Sequence, residues 1–342
     1  MTLDIEDPGS VVTPFRLGTR GSDLARWQAN TVAAAVRHAS GRDCELVVIT
    51  TTGDRLTEVS VSTVGGKRMF VKEIEQALTR GDIDLAVHSA KDMPADLPDG
   101  LTIAAVLPRE DPRDAVVLSV GATPAPDLSM LELVAAQGRA PRIGSGSVRR
   151  VAQLRRLLPT AQFHLVRGNV GTRLRKLDDG GYDLLILAAA GLKRLGFADR
   201  ISATIDVAAC VPAPGQGIIA IETRADDQET LVALAPVNDP AASAALTAER
   251  AVVRALGGSC QVPIGAFADT RDNRLHLRAV VASLDGSQIL RREASHPLAS
   301  AHALGAAVAE GLLEDGAGPM LQAAQDSAAQ DTGDGRQETG AT

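Results

Sequence analysis

The sequence predicts an α/β protein with two α/β domains that form a cleft and a small C-terminal α+β domain. Short β-rich segments alternate with amphipathic helical segments over most of the 342 residues, a pattern typical of largely parallel sheets. The alternation restarts after a charged, proline-containing segment at 108–114. After residue 260 it changes to runs typical of antiparallel strands. Because a chain of this length exceeds one ordinary hydrophobic core, several domains are expected.

The first unit begins with a strand at Phe15–Gly18 and a helix at Asp23–His38 that has one apolar face. A second strand is predicted at Cys44–Thr51. The remaining elements of this unit are a helix at 70–80, a buried strand at 83–88 and a strand at 102–107. A further strand at 115–120 follows the charged segment.

The second unit repeats the alternation of short strands and helices. Its predicted elements are a strand at 142–144, a helix at 147–158, a strand at 162–166, a helix at 169–179 and a strand at 183–188. The segment Pro212–Gly217 interrupts this unit, and a buried strand follows at 217–222.

The last unit starts with a long helix at 240–256 and continues with strands and a closing helix near 298–313. Its predicted strands lie at 264–268, 275–283 and 288–293. The predicted domains are therefore 14–114 with 213–237 (domain 1), 115–212 (domain 2), 238–325 (domain 3) and an aperiodic, disordered tail at 326–342.

Composition excludes several classes of protein. The net charge of −7 argues against a general nucleic-acid binder, and no apolar stretch reaches the roughly 18 residues of a membrane span. The first residues lack a basic segment followed by an apolar run, so no secretory signal is expected. Three widely spaced cysteines favour a reducing cytoplasm, and the histidines show no zinc-ligand spacing. We expect no metal site and neither a nucleic-acid nor a membrane partner.

The segment Arg139–Lys176 holds nine arginines and one lysine but no acidic residue, although the whole chain is acidic. A solvated basic helix face is the ordinary explanation of such a run. Two features favour an anion site instead: the segment offers no acidic partners, and several arginines follow predicted strands. Ligands of α/β sheets bind where strands pass into helices.

Three predicted strand-to-helix junctions share small residues and arginines. They contain Ser145, Ser147, Arg149 and Arg150; Arg167, Asn169 and Arg173; and Arg20 with Ser22. Free N–H groups at a helix start and guanidinium groups together bind carboxylates or phosphates. Ser22, taken alone, is better explained as a helix N-cap. The repeated design predicts one ligand with several negative groups.

Two further segments carry candidate chemistry. Lys91 and Asp92 follow the buried strand at 83–88, and a carboxylate beside an anion site can stabilise developing positive charge or move a proton. A turn or cap role is the alternative for Asp92. Cys260 lies among Gly257, Gly258 and Pro263, which favours an accessible loop thiol, whereas Cys44 and Cys210 are assigned to apolar, buried surroundings.

Together these segments resemble the hydroxymethylbilane synthase family, also called the porphobilinogen deaminases. The resemblance covers about 15–313 in order, and its motifs are TRGSDLARWQA (19–29), GGKRMFVKEIEQAL (65–78), HSAKDMP (88–94), REDPRDA (109–115), RRVAQL (149–154), RGNVGTRLRKL (167–177), AAAGLKRLG (188–196), PAPGQGIIAIE (212–222) and CQVPIGAFA (260–268). It departs from the family at 257–259, where Gly-Gly-Ser stands in place of glutamate and two glycines.

The resemblance implies two domains similar to type 2 periplasmic binding proteins and a third that carries the cysteine loop. It implies a dipyrromethane cofactor joined to Cys260 by a thioether and extended by four porphobilinogen units with loss of ammonia. Asp92 matches the catalytic aspartate. The positions implied to hold cofactor are Lys91, Asp92, Ser145, Ser147, Arg149, Arg150 and Asn169. Those implied to face substrate are Arg20, Ser22, Arg167, Arg173 and Arg194.

Two other functions fit parts of the same pattern. A binding module without catalysis, such as a solute-binding or ligand-sensing domain, would share the two-domain cleft but leave Asp92 and Cys260 without a role. A different enzyme acting on a phosphorylated substrate would share the arginines. We expect a cytoplasmic monomer that acts on a small-molecule substrate.

Cys260 provides a direct test of the family resemblance. The intact protein should be heavier than its sequence by two porphobilinogen-derived units, all on Cys260. Cys260→Ser should lose this mass and nearly all activity, because an alcohol is a far poorer nucleophile than a thiolate at neutral pH. Intact-mass measurement and peptide mapping check this. Cys44→Ser and Cys210→Ser are the controls, and an unmodified, active wild-type protein would contradict the resemblance.

Overall fold

The computed structural model describes residues 13–55, 69–122, 128–257 and 262–333. Within them lie two five-stranded sheets and one three-stranded sheet, each with helices packed against it. The predicted class, two α/β units and a smaller α+β unit, is confirmed.

The first sheet contains the strands β1 (Phe15–Thr19), β2 (Cys44–Val48), β3 (Leu85–Ser89), β4 (Leu101–Val106) and β10 (Ile219–Arg224). Their order across the sheet is β2-β1-β3-β10-β4. The helices of this unit are α1 (Asp23–Ser40), α2 (Thr52–Arg55), α3 (Lys72–Arg80) and α8 (Gln228–Leu234). Helix α1 buries Ala29, Val32 and Val36 against the sheet, as its apolar periodicity predicts.

The second sheet contains the strands β5 (Asp114–Leu118), β6 (Arg142–Gly144), β7 (Gln162–His164), β8 (Leu184–Ala188) and β9 (Ala203–Ile205). Their order across the sheet is β7-β6-β8-β5-β9. The accompanying helices are α4 (Met130–Ala135), α5 (Val148–Arg155), α6 (Val170–Asp178) and α7 (Ala189–Arg194). Helices α2, α4, α7 and α8 and strand β9 are not predicted from the sequence, because each is too short to show a period.

The two sheets share one topology. In each, the second strand in the order, β1 or β6, pairs in parallel with both neighbours, and the fourth position is taken by an antiparallel strand. The chain enters that strand directly from the other unit. It passes from β4 of the first sheet to β5 of the second, and it returns from β9 of the second sheet to β10 of the first. The chain therefore crosses between the units twice, at 107–113 and 206–218, which we call the crossover segments.

The third sheet is an antiparallel meander of β11 (Ile264–Arg271), β12 (Arg274–Ala282) and β13 (Ile289–Pro297). Asp272 and Asn273 have φ angles of 49° and 57°, the left-handed pair that a two-residue hairpin requires. Helices α9 (Pro240–Ala255), α10 (Ala301–Glu314) and α11 (Ala317–Gly333) accompany this sheet, and all three contribute to its core.

Helix α11 corrects the prediction of a disordered tail from residue 326. The chain is helical to Gly333, and Met320, Leu321 and Ala324 are buried in the core of the third sheet. The segment is rich in alanine and glutamine, which favour helix. Because its first turns are packed in this core, the helix continues beyond residue 325. Residues 334–342 of the predicted tail lie outside the described residues.

A buried carboxylate, Glu249 of α9, attaches the third unit to both crossover segments. It accepts hydrogen bonds from Arg109 Nη1 at 2.5 Å, from Gly215 N at 2.6 Å and from Ala268 N at 2.7 Å. The Arg109 guanidinium also lies 4.8 Å from the centre of the Phe267 ring. A fully buried carboxylate requires such donors, because an unpaired charge there would be strongly destabilising.

The crossover segments also touch each other directly at Gly217. This residue has a φ of 88°, and a Cβ there would lie 2.3 Å from the Glu110 carbonyl oxygen. Both the backbone conformation and the contact therefore require glycine.

Gly217→Ala should lower the melting temperature more than Gly100→Ala does. Gly100 has a similar φ of 83°, but a Cβ added there would meet no atom within 4 Å, so its substitution isolates the backbone cost of about 1–2 kcal/mol. Gly217→Ala adds a backbone clash and should cost at least about twice as much. Thermal unfolding followed by circular dichroism measures both, and equal shifts would contradict the close contact.

Candidate active site

The carboxyl ends of β1, β2 and β3 meet at one edge of the first sheet, because these strands are parallel. Arg20 and Ser22 follow β1 directly. Lys91 and Asp92 follow β3 in a single 3-10 turn at Ala90–Asp92. Gly215 of the second crossover segment packs against this turn, since a Cβ on Gly215 would lie 3.0 Å from the backbone nitrogen of Lys91. The two predicted sites of this domain thus share an edge.

The second sheet presents its carboxyl edge in the same way, through parallel β6, β7 and β8. Ser145 and Ser147 follow β6 and lead into α5, which carries Arg149 and Arg150 near its start. Gly146 of that turn lies against the Arg173 guanidinium, since a Cβ there would be 3.8 Å from Nη1. The second and third predicted junctions are therefore neighbours.

The two edges face each other across a cleft. Arg173 of the second unit interacts electrostatically with Asp92 of the first and with Arg150. Arg194 of α7 donates to the Gly217 carbonyl oxygen at 2.7 Å, and its guanidinium lies 5.7 Å from the centre of the Trp27 ring of α1. The structure thus brings residues from three of the predicted positions together, and the Arg20–Ser22 junction lies at the same sheet edge as Asp92.

Asp114, the first residue of β5, is fully buried between Arg149 and Arg150. Its Oδ2 accepts from Arg149 Nη2 at 2.8 Å, and its Oδ1 accepts from Arg150 Nε at 2.9 Å and from Gln216 Nε2 at 2.8 Å. Burial alone would raise the pKa of Asp114, but the two guanidinium groups outweigh it and hold this pKa far below its ordinary value.

This arrangement corrects the expectation that the arginines of 139–176 lack acidic partners. Arg149 and Arg150 pair with Asp114, and Arg142 pairs with Asp183 at 2.7 Å. The acids come from other parts of the chain, so the composition of the segment could not show them. Arg149 Nε is nevertheless buried without a hydrogen-bond partner among the described residues.

Lys91 and Asp92 differ from Asp114 and its two arginines in their hydrogen bonds. Within the described residues, neither the Lys91 ammonium nor the Asp92 carboxylate makes a hydrogen bond. Burial lowers the pKa of Lys91 to about 8, although Asp92 opposes the shift. Burial and the neighbouring Arg150 also lower the pKa of Arg173, whose Nε donates to the Gly168 carbonyl oxygen. These groups retain donors and an acceptor for a ligand.

Comparison with known proteins identifies the family. A family model described as "Porphobilinogen deaminase, dipyromethane cofactor binding domain" matches residues 15–232, and "Porphobilinogen deaminase, C-terminal domain" matches 243–314. The porphobilinogen deaminase of Laribacter hongkongensis is 45% identical over 90% of this chain and 97% of its own length. That of Chromobacterium violaceum is 47% identical over 90% of this chain and 96% of its own.

The chain belongs to the porphobilinogen deaminase family. It is accordingly a transferase of tetrapyrrole biosynthesis with the dipyrromethane cofactor-binding domain of that family. Among solved structures, the methionine-binding protein MetQ is similar with a TM-score of 0.40 and 14% identity over 65% of this chain and 89% of that chain. Immunogenic lipoprotein A from Vibrio vulnificus is similar with a TM-score of 0.40 and 16% identity over 65% of this chain and 93% of that chain.

Several positions that match the porphobilinogen deaminase motifs are helix caps. Ser22 accepts from Ala25 N at 3.4 Å, Ser147 from Arg150 N at 3.4 Å, and Asn169 from Thr172 N at 2.8 Å. The cap role predicted for Ser22 is confirmed. A capping serine still has its hydroxyl proton to donate, so capping and anion binding are compatible. Ser145 is buried at the same turn, where its Oγ accepts from Ser147 N.

Two of the three cysteines, Cys44 and Cys210, lie among the described residues and differ in burial. Cys210 is buried as predicted, and burial raises its pKa to about 12. Its sulfur also accepts from Arg149 Nη1 at 3.3 Å, a contact that the sequence did not indicate. Cys44 is half-buried, and burial raises its pKa to about 11. Cys260 lies outside the described residues.

Three residues of the porphobilinogen deaminase cleft are not among the predicted site residues: Asp114, Gln216 and Trp27. Asp114 had a signal, because an acidic side chain at the start of the otherwise apolar strand β5 needs a cationic partner. Gln216 and Trp27 lay within the quoted family motifs but carried no signal of their own. No helix of the described residues is long and apolar enough to cross a membrane, and these residues hold no cluster of potential metal ligands.

Activity should decline as the pH rises through about 8, the pKa of Lys91. The cationic form exists below that pKa, so the attraction for a carboxylate is present at lower pH and lost above it. Lys91→Arg should move this alkaline limb upward, because arginine stays charged to beyond about pH 12. The pH profile of kcat/KM measures the limb, and a Lys91→Arg profile identical to wild type would show that Lys91 does not cause it.

Proposed function

We propose that this chain is a hydroxymethylbilane synthase, which joins four porphobilinogen molecules head to tail onto a dipyrromethane primer and releases the linear tetrapyrrole. The observation that carries the proposal is the Asp92 carboxylate. It interacts electrostatically with Lys91 and Arg173 and accepts no hydrogen bond from the described residues.

The residues of the cleft fit a dipyrromethane group. Two porphobilinogen-derived units carry acetate and propionate side chains, so the group needs several cationic donors and an acceptor for its pyrrole N–H groups. The orphaned Arg149 Nε and the free donors of Lys91 and Arg173 meet the first need. The Asp92 carboxylate meets the second. The bound group would supply the pyrrole carbon onto which substrate is added.

The proposed division of the cleft follows the two edges. Lys91, Asp92, Ser145, Ser147, Arg149, Arg150 and Asn169 hold the cofactor, and Arg20, Ser22, Arg167, Arg173 and Arg194 hold the carboxylates of substrate and product. Cys260 carries the thioether. Arg149 and Arg150 are fixed by Asp114, so they present their remaining N–H groups without the entropy cost of ordering two long side chains.

Asp92 acts on charge that develops in the reaction. As the carbon–nitrogen bond of porphobilinogen breaks and ammonia leaves, positive charge develops on the substrate pyrrole. A fixed carboxylate stabilises that charge. The bound cofactor, held by the cationic groups of the cleft, would supply the terminal pyrrole carbon that accepts the substrate methylene carbon and gives up its proton. After four additions, hydrolysis releases the product.

A binding module without catalysis is not favoured, because it leaves the Asp92 carboxylate beside an anion site without a reason. The enzyme acts on a small molecule and uses neither nucleic acid nor membrane. Its location in the cytoplasm and its action as a monomer are part of the proposal, in line with the acidic composition and the few, widely spaced cysteines.

Asp92→Asn should lower kcat by on the order of 100-fold or more, because it keeps the shape of the side chain but removes the stabilising charge. Porphobilinogen consumption and hydroxymethylbilane formation measure the effect, and circular dichroism checks the fold. Asp96→Asn is the matched control, since Asp96 lies in the same loop but pairs with Arg254 of α9. Near-wild-type turnover by Asp92→Asn would refute the catalytic role.

A further inference from the structure

Arg20, assigned above to a substrate carboxylate, is paired with a carboxylate of the chain itself. The Arg20 guanidinium contacts Asp54 through two nitrogens, with Nε 3.1 Å from Oδ1 and Nη2 bonded to the same oxygen. Both are charge-assisted hydrogen bonds, the kind of contact that arginine makes with carboxylates generally. Asp54 therefore makes at Arg20 the contact that a substrate acetate or propionate would make.

Asp54 of α2 is held in this position by Thr51, which lies between β2 and α2. Its Oδ2 accepts from Thr51 Oγ1 at 2.8 Å and from Thr51 N at 3.2 Å. Burial raises the pKa of Asp54, but the hydrogen bonds from Arg20 and Thr51 outweigh it and keep this pKa below its ordinary value. The carboxylate is thus ionised throughout the neutral range.

Phe70 fixes the other side of the same contact. Its ring lies 4.5 Å from the Arg20 guanidinium carbon, a cation–π distance, and packs against Gly53 so tightly that a Cβ there would lie 2.2 Å from the ring. Arg20 would keep this ring contact if Asp54 moved away, so the guanidinium would stay in place to receive another carboxylate.

The ion pair of Arg20 and Asp54 is also accessible to a competing carboxylate. The side chains of Arg20 and Asp54 are 25% and 22% exposed, whereas the Asp114 side chain between Arg149 and Arg150 is 0% exposed. Partly exposed ion pairs are weak, so a carboxylate from solution can compete for the guanidinium. A competitor cannot reach Asp114 without opening the protein.

We propose that Asp54 is an affinity-determining residue that competes with a substrate carboxylate for the Arg20 guanidinium. Each binding event at Arg20 then exchanges one carboxylate for another. A ligand with a single carboxylate displaces Asp54 from Arg20 only weakly. A substrate that several other cationic groups also hold displaces it readily. The inference rests on the proposed function, because it takes Arg20 as a substrate-binding residue.

The chain offers a matched control pair at the opposite end of the same strand. Arg16 of β1 binds Asp84 through two nitrogens, with Nη2 2.6 Å from Oδ1 and Nε 3.2 Å from Oδ2. Asp84 precedes β3, so this pair lies at the amino edge of the sheet, away from the cleft. Asp84→Asn removes an equivalent charge without changing competition at Arg20.

The test compares Asp54→Asn with Asp84→Asn in the holoenzyme that carries its covalent cofactor. Asp54→Asn should lower the KM for porphobilinogen about 2- to 5-fold, the factor that corresponds to an ion pair of up to ~1 kcal/mol. Native mass spectrometry should show more of the first substrate complex at a fixed porphobilinogen concentration. Asp84→Asn should leave both quantities unchanged, and melting temperatures check that the variants fold.

A KM that is unchanged or raised in folded Asp54→Asn overturns the inference, since Asp54 would then assist substrate or have no effect on it. A fall of the same size in Asp84→Asn also overturns it. Where Asp54→Asn does not fold, Thr51→Val, which loosens Asp54 but keeps its charge, should lower KM by a smaller factor, and an unchanged KM counts against the exchange. Wild type that neither binds nor consumes porphobilinogen overturns the proposed function itself, whereas normal turnover without the Asp54 effect overturns only this inference.

Discussion

The burial of one carboxylate, Asp114, is the constraint on which the architecture of the cleft depends. An isolated charge at this depth would cost several kcal/mol in lost hydration, so the fold must bring donors to it. Arg149 and Arg150 supply them from the start of α5, and Gln216 supplies another from the second crossover segment. Because Asp114 itself directly follows the first crossover, one charge network fixes both crossovers and the anion-binding helix relative to each other.

Glu249 applies the same constraint to the third unit. It too is fully buried, and its donors come from both crossover segments and from β11. Two buried carboxylates thus join three sheets at one junction. The helix that carries Glu249 ends shortly before Cys260, so the position of the chain that enters the proposed cofactor-attachment loop depends on this junction.

Charged groups of the cleft divide by exposure. Asp114 with Arg149 and Arg150 is closed to solvent and nearly saturated with hydrogen bonds. Lys91, Asp92, Arg20 and Arg173 are partly exposed and retain free donors or acceptors, or hold partners that a ligand can replace. The first group maintains geometry and keeps only a few N–H groups, Arg149 Nε among them, for the proposed cofactor, whereas the second can respond more widely to an anionic ligand. Residue type does not distinguish them, since arginine and aspartate occur in both.

Local patterns in the sequence determined much of this protein. Hydrophobic periodicity located most strands and helices, and small residues before Ser147 and Asn169 marked helix starts that the structure confirms as capped junctions. These features act over a few residues, so a single sequence shows them. The resemblance in ordered motifs identified the family, which the comparisons confirm. The extent of α11 could not be read locally, because its helicity depends on an anchor buried in a distant core.

Pairing across the chain was decided only by the tertiary structure. Asp114 lies 35 residues before Arg149, and Arg20 lies 34 residues before Asp54, so neither pair appears in any local window. The exchange of β5 and β10 between the sheets brings the first pair together, and the parallel register of β1 and β2 brings together the second. Sequence shows which charges exist, but desolvation and strand order decide which of them neutralise one another and which remain available for a ligand.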